Sequence, residues 1–492
     1  MTPSNPIIYQ NATADITLID IPTSIVAARG DRSDILLSTA PLEAPLQPKE
    51  DYQPKTQKAK AKAKAAKTQA VDKVQQNSFS LPIHASKQAT DPASHNFQSR
   101  DLDDTRYKVL VEHALAQIRT QVSGPWCTRR KLMTQRLGSG EEGMMDVDSP
   151  TEKDVEARMR EWVSWNQIKE DDPAFNLQQL MASLSAASEA AGPATDTNKW
   201  TLSYRPAREA ESSTQAAETD TQETQTEPWT CTFHNPHAHS LEATITEQMS
   251  PSAPSGQAYR FTIPPRASLF LSDTTASDAF RTSFRQLTDE HSLPRHFDLV
   301  LLDPPWPNRS AKRKGAYEQV GGVPYLKKML LNMDIDTYLE HNALVGVWIT
   351  NKTSLRDHVL GPGGLFETWN VGLIEEWIWV KTTTKGEPMF DIDNAMRKPY
   401  EILLLGRAAP NSWTTMVHAP VVKRRVVAAV PDVHSRKPCL KTLLEPFLVD
   451  PTDYSALEVF SRYLVSGWTS WGNEVLKYNW EGYWAPAEGT ET

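Results

Sequence analysis

One stretch, Phe297-Asp298-Leu299-Val300-Leu301-Leu302-Asp303-Pro304-Pro305-Trp306, constrains this chain more than any other. The aliphatic run from Leu299 to Leu302 has the length of a buried strand, and the proline pair forbids its continuation as strand or helix. Asp303 therefore stands at the carboxyl end of a strand, where open α/β sheets place their ligand crevices.

The residues at that exit suit methylation of an exocyclic amine on a base. Such a nitrogen is a poor nucleophile because its lone pair is delocalised into the ring. A carboxylate accepting one N–H and a carbonyl accepting the other pull it towards an attacking geometry. Asp303 offers the carboxylate, and Pro304 offers a carbonyl held by restricted dihedrals on either side. Trp306 supplies a flat face for the base, with stacking worth about 1–3 kcal/mol. The competing reading is a proline-stiffened turn with Trp306 in the core.

At these residues the chain resembles the MT-A70 family of N6-adenine methyltransferases, and within it the methyltransferase-like 4 branch. That branch shares Asn308-Arg309-Ser310-Ala311-Lys312-Arg313, then Lys398-Pro399-Tyr400-Glu401, and Gly467-Trp468-Thr469-Ser470-Trp471-Gly472-Asn473-Glu474-Val475-Leu476-Lys477. The resemblance runs from about Trp229 to about Trp484. It implies a Rossmann-like α/β methyltransferase with circularly permuted motif order, the cofactor strand coming last, around Leu457 to Phe460. It also implies S-adenosylmethionine-dependent N6-methylation of adenine in nucleic acid, either RNA such as small nuclear RNA or DNA.

The resemblance assigns roles residue by residue. Asp303, Pro304, Pro305 and Trp306 are the catalytic stretch, with Asp303 also facing the cofactor. Asp273 and Thr274, at the end of an upstream strand, match the segment that reads the cofactor's adenine. Lys437 matches a lysine that holds its carboxylate, although Arg436 stands where close relatives have histidine. Arg462, Asn473 and Glu474 match the ribose-binding positions. Read from its own charge and its place beside the catalytic stretch, the basic loop after Trp306 presents Asn308, Lys312, Arg313 and Tyr317 to the substrate, with a solvated surface loop as the competing reading. Trp348 and Glu401 complete that surface. No G-x-G-x-x-G loop precedes Asp303, which argues against a nicotinamide site.

Beyond this region the chain thins out. Only 39% of residues are hydrophobic and 35 are proline, while ten of the 15 tryptophans lie from Trp306 onward, placing the main core in the carboxyl-terminal half. Residues 1–98 read as a disordered leader, relieved by short strands at Ile7-Ile8-Tyr9 and Ile35-Leu36-Leu37. Its Lys/Ala run, Lys55 to Lys67, has no apolar face and suits nuclear import, a nucleic-acid tether or a solvated tail. Residues 99–207 read as a helical accessory domain: one face carries Tyr107, Val111, Ala114, Leu115 and Ile118, and a second carries Val155, Met159, Trp162 and Val163. A third helix is expected around Phe175 to Leu184. Residues 208–228 read as a disordered Glu/Thr/Gln-rich spacer, and residues 229–492 as the methyltransferase domain.

The net charge of −9 confines any nucleic-acid contact to local basic surfaces, among them Lys423-Arg424-Arg425. Three scattered cysteines imply a reducing compartment, and no signal or membrane-length apolar run is present. His234, His237, His239 and Cys231 fit no standard metal spacing. The expectation is a nuclear enzyme, with the cytoplasm as alternative, able to act as a monomer on nucleic acid without metal or membrane. A non-catalytic subunit of a methyltransferase complex is the main competing class, and the intact Asp303 argues against it; cytosine N4 is the competing amine.

Overall fold

The computed structural model describes residues 5–30, 34–47, 92–133, 150–171, 199–207, 224–247, 257–307, 322–394, 397–408, 422–434 and 436–486. In chain order the strands are β1 (Ile7–Gln10), β2 (Ile16–Ile19), β3 (Asp34–Leu36), β4 (Trp200–Pro206), β5 (Gln225–Pro228), β6 (Thr232–His234), β7 (Leu241–Glu247), β8 (Ala258–Ile263) and β9 (Ser268–Leu271). They continue as β10 (Phe297–Leu302), β11 (Leu339–Ile349), β12 (Val371–Lys381), β13 (Tyr400–Ala408), β14 (Lys423–Ala429), β15 (Ala456–Val459), β16 (Trp468–Gly472) and β17 (Trp484–Pro486).

Eleven of them form one mixed sheet in the order β1-β2-β14-β12-β13-β11-β10-β15-β16-β9-β6. From β9 through β16, β15 and β10 to β11 the strands are all parallel, so their carboxyl ends share one edge. The expected strand is β10, in which every residue but Asp298 is buried. Its continuous apolar run follows from having both faces covered. Val300 and Leu302 enter one core with the helices Pro92–Gln121, Ser277–His291 and Gly322–Asn332. Leu299 and Leu301 enter the other, with the helix Ile21–Arg29 and the carboxyl-terminal tail. In helix Ser277–His291, Phe280, Phe284 and Leu287 bury one stripe, and the Phe280 ring stacks on Trp471 with centroids 3.9 Å apart.

The amino-terminal half is woven into this sheet more closely than composition suggests. β2 is buried at all four positions and pairs in parallel with β14, while β3 pairs with β17. Part of the expected leader is therefore core. Its Ile-Thr-Leu-Ile run is too short to stand out from a polar background, yet it covers a sheet edge. The two helices of the expected accessory domain sit in different cores. Tyr107, Val111 and Ile118 join the main one, whereas Trp162 packs edge-on against Trp200, Trp229 and Tyr259 under a separate four-stranded sheet, β5-β4-β7-β8. That sheet takes β4 and β5 from before residue 229 and β7 and β8 from after it, so the expected boundary cuts through a folded unit. β5 also falls inside the expected spacer. The Lys/Ala run, the third helix and spacer residues 208–223 lie outside the described residues.

Among the described residues no helix is long and apolar enough to cross a membrane, and no group of three or more His, Cys, Asp or Glu side chains is arranged to hold a metal ion. The two arginines of the basic cluster Lys423-Arg424-Arg425 are paired internally: Arg424 Nε lies 2.8 Å from Glu376 and Arg425 Nε 2.5 Å from Glu375, as counter-ions to two acids buried in β12. Charge alone could not show this, because the acids lie about fifty residues away in sequence. Lys423 stays exposed at the start of β14.

Leu18 is fully buried in β2. Leu18→Ala is expected to destabilise the fold by about 2–5 kcal/mol in chemical denaturation. A loss below about 1 kcal/mol would show that the amino-terminal strands are dispensable.

Candidate active site

Asp303 leaves β10 with its backbone N–H donated to the Val459 carbonyl of β15 at 3.3 Å. Its carboxylate is gripped by Lys437, whose Nζ lies 2.8 Å from Oδ1 and 2.7 Å from Oδ2. The same ammonium reaches Glu401 at 3.3 Å and sits 5.2 Å from the centre of the Trp348 ring, while Glu401 also pairs with Lys381 at 2.6 Å. Two acids and two lysines thus alternate across the edge where β10, β12 and β13 meet the segment before residue 438. Burial pushes the Glu401 carboxyl up, but the Lys437 and Lys381 ammonium groups outweigh it and hold it at about 2. Burial likewise opposes the charge on Lys437, and Asp303 and Glu401 raise its affinity for the proton above the ordinary value.

The proline turn is rigid and partly occupied by its own contacts. The Pro304 carbonyl accepts the Trp306 N–H at 2.7 Å, leaving one lone pair for another donor. Trp306 is 6% exposed and packs into the core, with its indole N–H donated to the Trp348 carbonyl at 2.6 Å. The structure corrects the expected open stacking face. The proline pair folds the ring back over the end of β11, where it fixes the turn that presents Asp303 and Pro304. Lys352, just beyond β11, donates to the Pro307 carbonyl at 2.7 Å and ties the rim to the same turn. Asn308, Lys312, Arg313 and Tyr317 lie outside the described residues.

A narrow cleft opens beside this turn. Its lining includes Leu301, Asp303, Trp348, Lys437, Glu458 and Arg462. Asn473 and Glu474 follow β16 directly, and Glu474 pairs with Arg462 Nε at 2.9 Å. Asp273 and Thr274 follow β9 on the same edge, where Asp273 accepts the Thr275 N–H at 2.9 Å in a tight turn. Every expected cofactor residue is therefore at the carboxyl edge of four adjacent parallel strands. Trp348 and Glu401, expected at the substrate, instead face Lys437: one flanks the ammonium and the other neutralises it.

Two groups of site residues escape the sequence reading. Glu458, inside β15, lines the cleft and has the Ser461 hydroxyl at 3.3 Å. Its place on the cleft side of a short strand is visible only once the register is known. The other group braces Lys437 from behind. Arg436 and Asp432 form a fully buried pair at 2.7 Å. Asp432 accepts the Thr39 N–H at 2.9 Å, and Arg436 Nη1 donates to the Leu37 carbonyl at 3.0 Å with its guanidinium 4.3 Å over Tyr478. Arg130 donates to the Val430 and Pro431 carbonyls at 2.8 and 2.9 Å. Leu37, Thr39 and Arg130 belong to stretches with no motif character, so only the fold brings them here.

Residues 297–474 match the MT-A70 family. The N6-methyladenosine RNA methyltransferase MTA1 of Cryphonectria parasitica is 40% identical over 221 residues, which are 45% of this chain and 61% of that protein. The human N(6)-adenine-specific methyltransferase METTL4 is 32% identical over 235 residues, 46% of either chain. The DNA N6-methyl methyltransferase of Caenorhabditis elegans is 32% identical over 217 residues, 44% of this chain and 53% of that one. In each case the match spans less than two thirds of the relative's length.

The ion pairs predict how the fold responds to acid. Glu401 titrates at about 2 in the fold against 4.5 unperturbed, so its contribution is complete above pH 4.5 and is lost as pH falls towards 2. Lys437→Met removes one of its two cations and the partner of Asp303. The acid-unfolding midpoint, followed by circular dichroism, is expected to move to higher pH; an unchanged midpoint would show that these pairs carry no stability.

Proposed function

The segment 297–474 belongs to the MT-A70 family, and from that premise we propose that this chain methylates N6 of adenine in nucleic acid, using S-adenosylmethionine. The observation that carries the reading is the convergence of Asp303 and the Pro304 carbonyl with Lys437, Arg462, Asn473 and Glu474 on one sheet edge. The strand order supports a Rossmann-like fold of permuted motif order: β15 comes late in the chain yet lies between β10 and β16 at the centre of the parallel run.

The donor set fits the proposed cofactor. Lys437 is a buried cation for a carboxylate, Glu474 and Asn473 offer acceptors for ribose hydroxyls, and Leu301 and Trp348 give the cleft an apolar wall. Asp273 supplies an acceptor for an amino group at the neighbouring strand end. When bound, the cofactor supplies an electrophilic methyl group on a sulfonium.

The chain's own part is orientation and electrostatics. Asp303 accepts one N–H of the adenine amine and Pro304 accepts the other, biasing the lone pair towards the methyl. The carboxylate also stabilises the positive charge that develops on nitrogen, and it is preorganised because its backbone is fixed to β15. No strong base is needed, since the charged product loses its proton to water. The target adenine has to be unpaired or flipped out, because pairing occupies its amine. The basic residues between Trp306 and residue 322 are the proposed phosphate contacts, and the Lys/Ala run is the proposed nuclear signal.

The test is transfer of labelled methyl to matched single- and double-stranded RNA and DNA oligonucleotides, followed by nucleoside analysis. Wild-type protein is expected to yield N6-methyladenine. Asp303→Asn, with its circular dichroism unchanged, is expected to transfer roughly 10²–10³-fold more slowly. Transfer by the variant within tenfold of wild type would remove Asp303 from the chemistry.

A further inference from the structure

Glu458 is an acid beside apolar side chains, and the nearby Lys437 charge does not offset the burial of its carboxyl. It aligns with Leu301 in the β10–β15 ladder and faces the same side as Leu301 and Trp348, one position before the strand's last residue. Its polar contact is the Ser461 hydroxyl at 3.3 Å. The other charged or titratable groups on this cleft are Asp303 from β10, Arg436, Lys437 and Cys439 from the segment before the helix Lys441–Leu444, Arg462 and Tyr463 beyond β15, and Tyr478 from the carboxyl-terminal tail. Lys437 pairs with Asp303 and Glu401, Arg462 with Glu474 and Arg436 with Asp432, and of these cations Lys437 is the one whose charge acts on Glu458. A carboxylate so placed is costly unless a positive group joins it.

We propose that Glu458 receives the α-ammonium group of the cofactor's amino-acid head while Lys437 receives its carboxylate, so that the two residues together select a zwitterion. This rests on the reading that the cleft binds S-adenosylmethionine. Burial, and after it the nearby charge of Asp303, push the Glu458 carboxyl up to about 7. An arriving ammonium favours the ionised form, so Glu458–COOH gives its proton to solvent as the ligand binds. Burial holds Cys439 at about 12 and Tyr463 well above its ordinary range, so neither competes near neutrality.

The test is calorimetric binding of S-adenosylhomocysteine, which has the same amino-acid head, to the full chain between pH 6 and 8. Wild-type affinity is expected to rise by about tenfold across that range, with proton release seen as a dependence on the buffer's ionisation enthalpy. Glu458→Gln is expected to bind at least tenfold more weakly at pH 8, to lose the pH dependence, and to leave the affinity for 5′-methylthioadenosine, which lacks the amino-acid head, unchanged. If the variant binds S-adenosylhomocysteine as tightly as wild type, or if wild type releases no proton, Glu458 does not hold the ammonium. If wild type binds neither ligand, the cofactor reading itself fails, and this inference with it.

Discussion

The ion pair between Lys437 and Asp303 is the contact on which the rest of the site depends. It joins the exit of β10 to a segment more than a hundred residues later, and does so where burial opposes the charge of the lysine. A pair in that setting persists only when every partner is held in place. Asp303 is held by the Val459 carbonyl and by the proline turn. Lys437 is held by a second acid, Glu401, and by the Trp348 ring. The edge is consequently set before any ligand arrives, which is what alignment-based catalysis requires.

Further support for Lys437 comes in part from residues outside the family-matched segment. Arg436 and Asp432 form a buried node that collects the amino-terminal residues Leu37 and Thr39, and beside it Arg130 ties down the carbonyls of residues 430 and 431. Tyr478 closes the node from the carboxyl-terminal side. Stretches distant in sequence thereby stiffen one short loop. Arg436 is the centre of that node. Its planar guanidinium can lie over an aromatic ring while forming an ion pair and a backbone hydrogen bond.

Much of the site was legible because its residues sit at strand exits, and strand exits are written locally. Leu299 to Asp303 and Leu457 to Arg462 announce both strand and terminus, and the resemblance implied that the later strand is the cofactor strand. What stayed hidden depended on register or on distance. Glu458 reads as one more residue of a strand until β15 is set against β10. Arg424 and Arg425 read as a basic surface until β14 is set against β12, where Glu375 and Glu376 neutralise them. Trp306 was expected to face a base, but a ring one step past two prolines goes where the turn sends it, here into the core. Among the amino-terminal strands, β1 and β3 were marked by their apolar runs and only β2 was missed: it is four residues long in polar surroundings, and its apolar character matters only against an edge built from the other end of the chain.

The central claim is that the methyl donor lies in the cleft between the ends of β10 and β15, within reach of Asp303. Ultraviolet crosslinking of methyl-labelled S-adenosylmethionine to the full chain, with the labelled peptide mapped by mass spectrometry, tests it most directly. The account predicts label on the peptides carrying residues 436–440 or 456–474, abolished by excess S-adenosylhomocysteine. Competable label on the four-stranded sheet or the helix Pro92–Gln121 instead would contradict it.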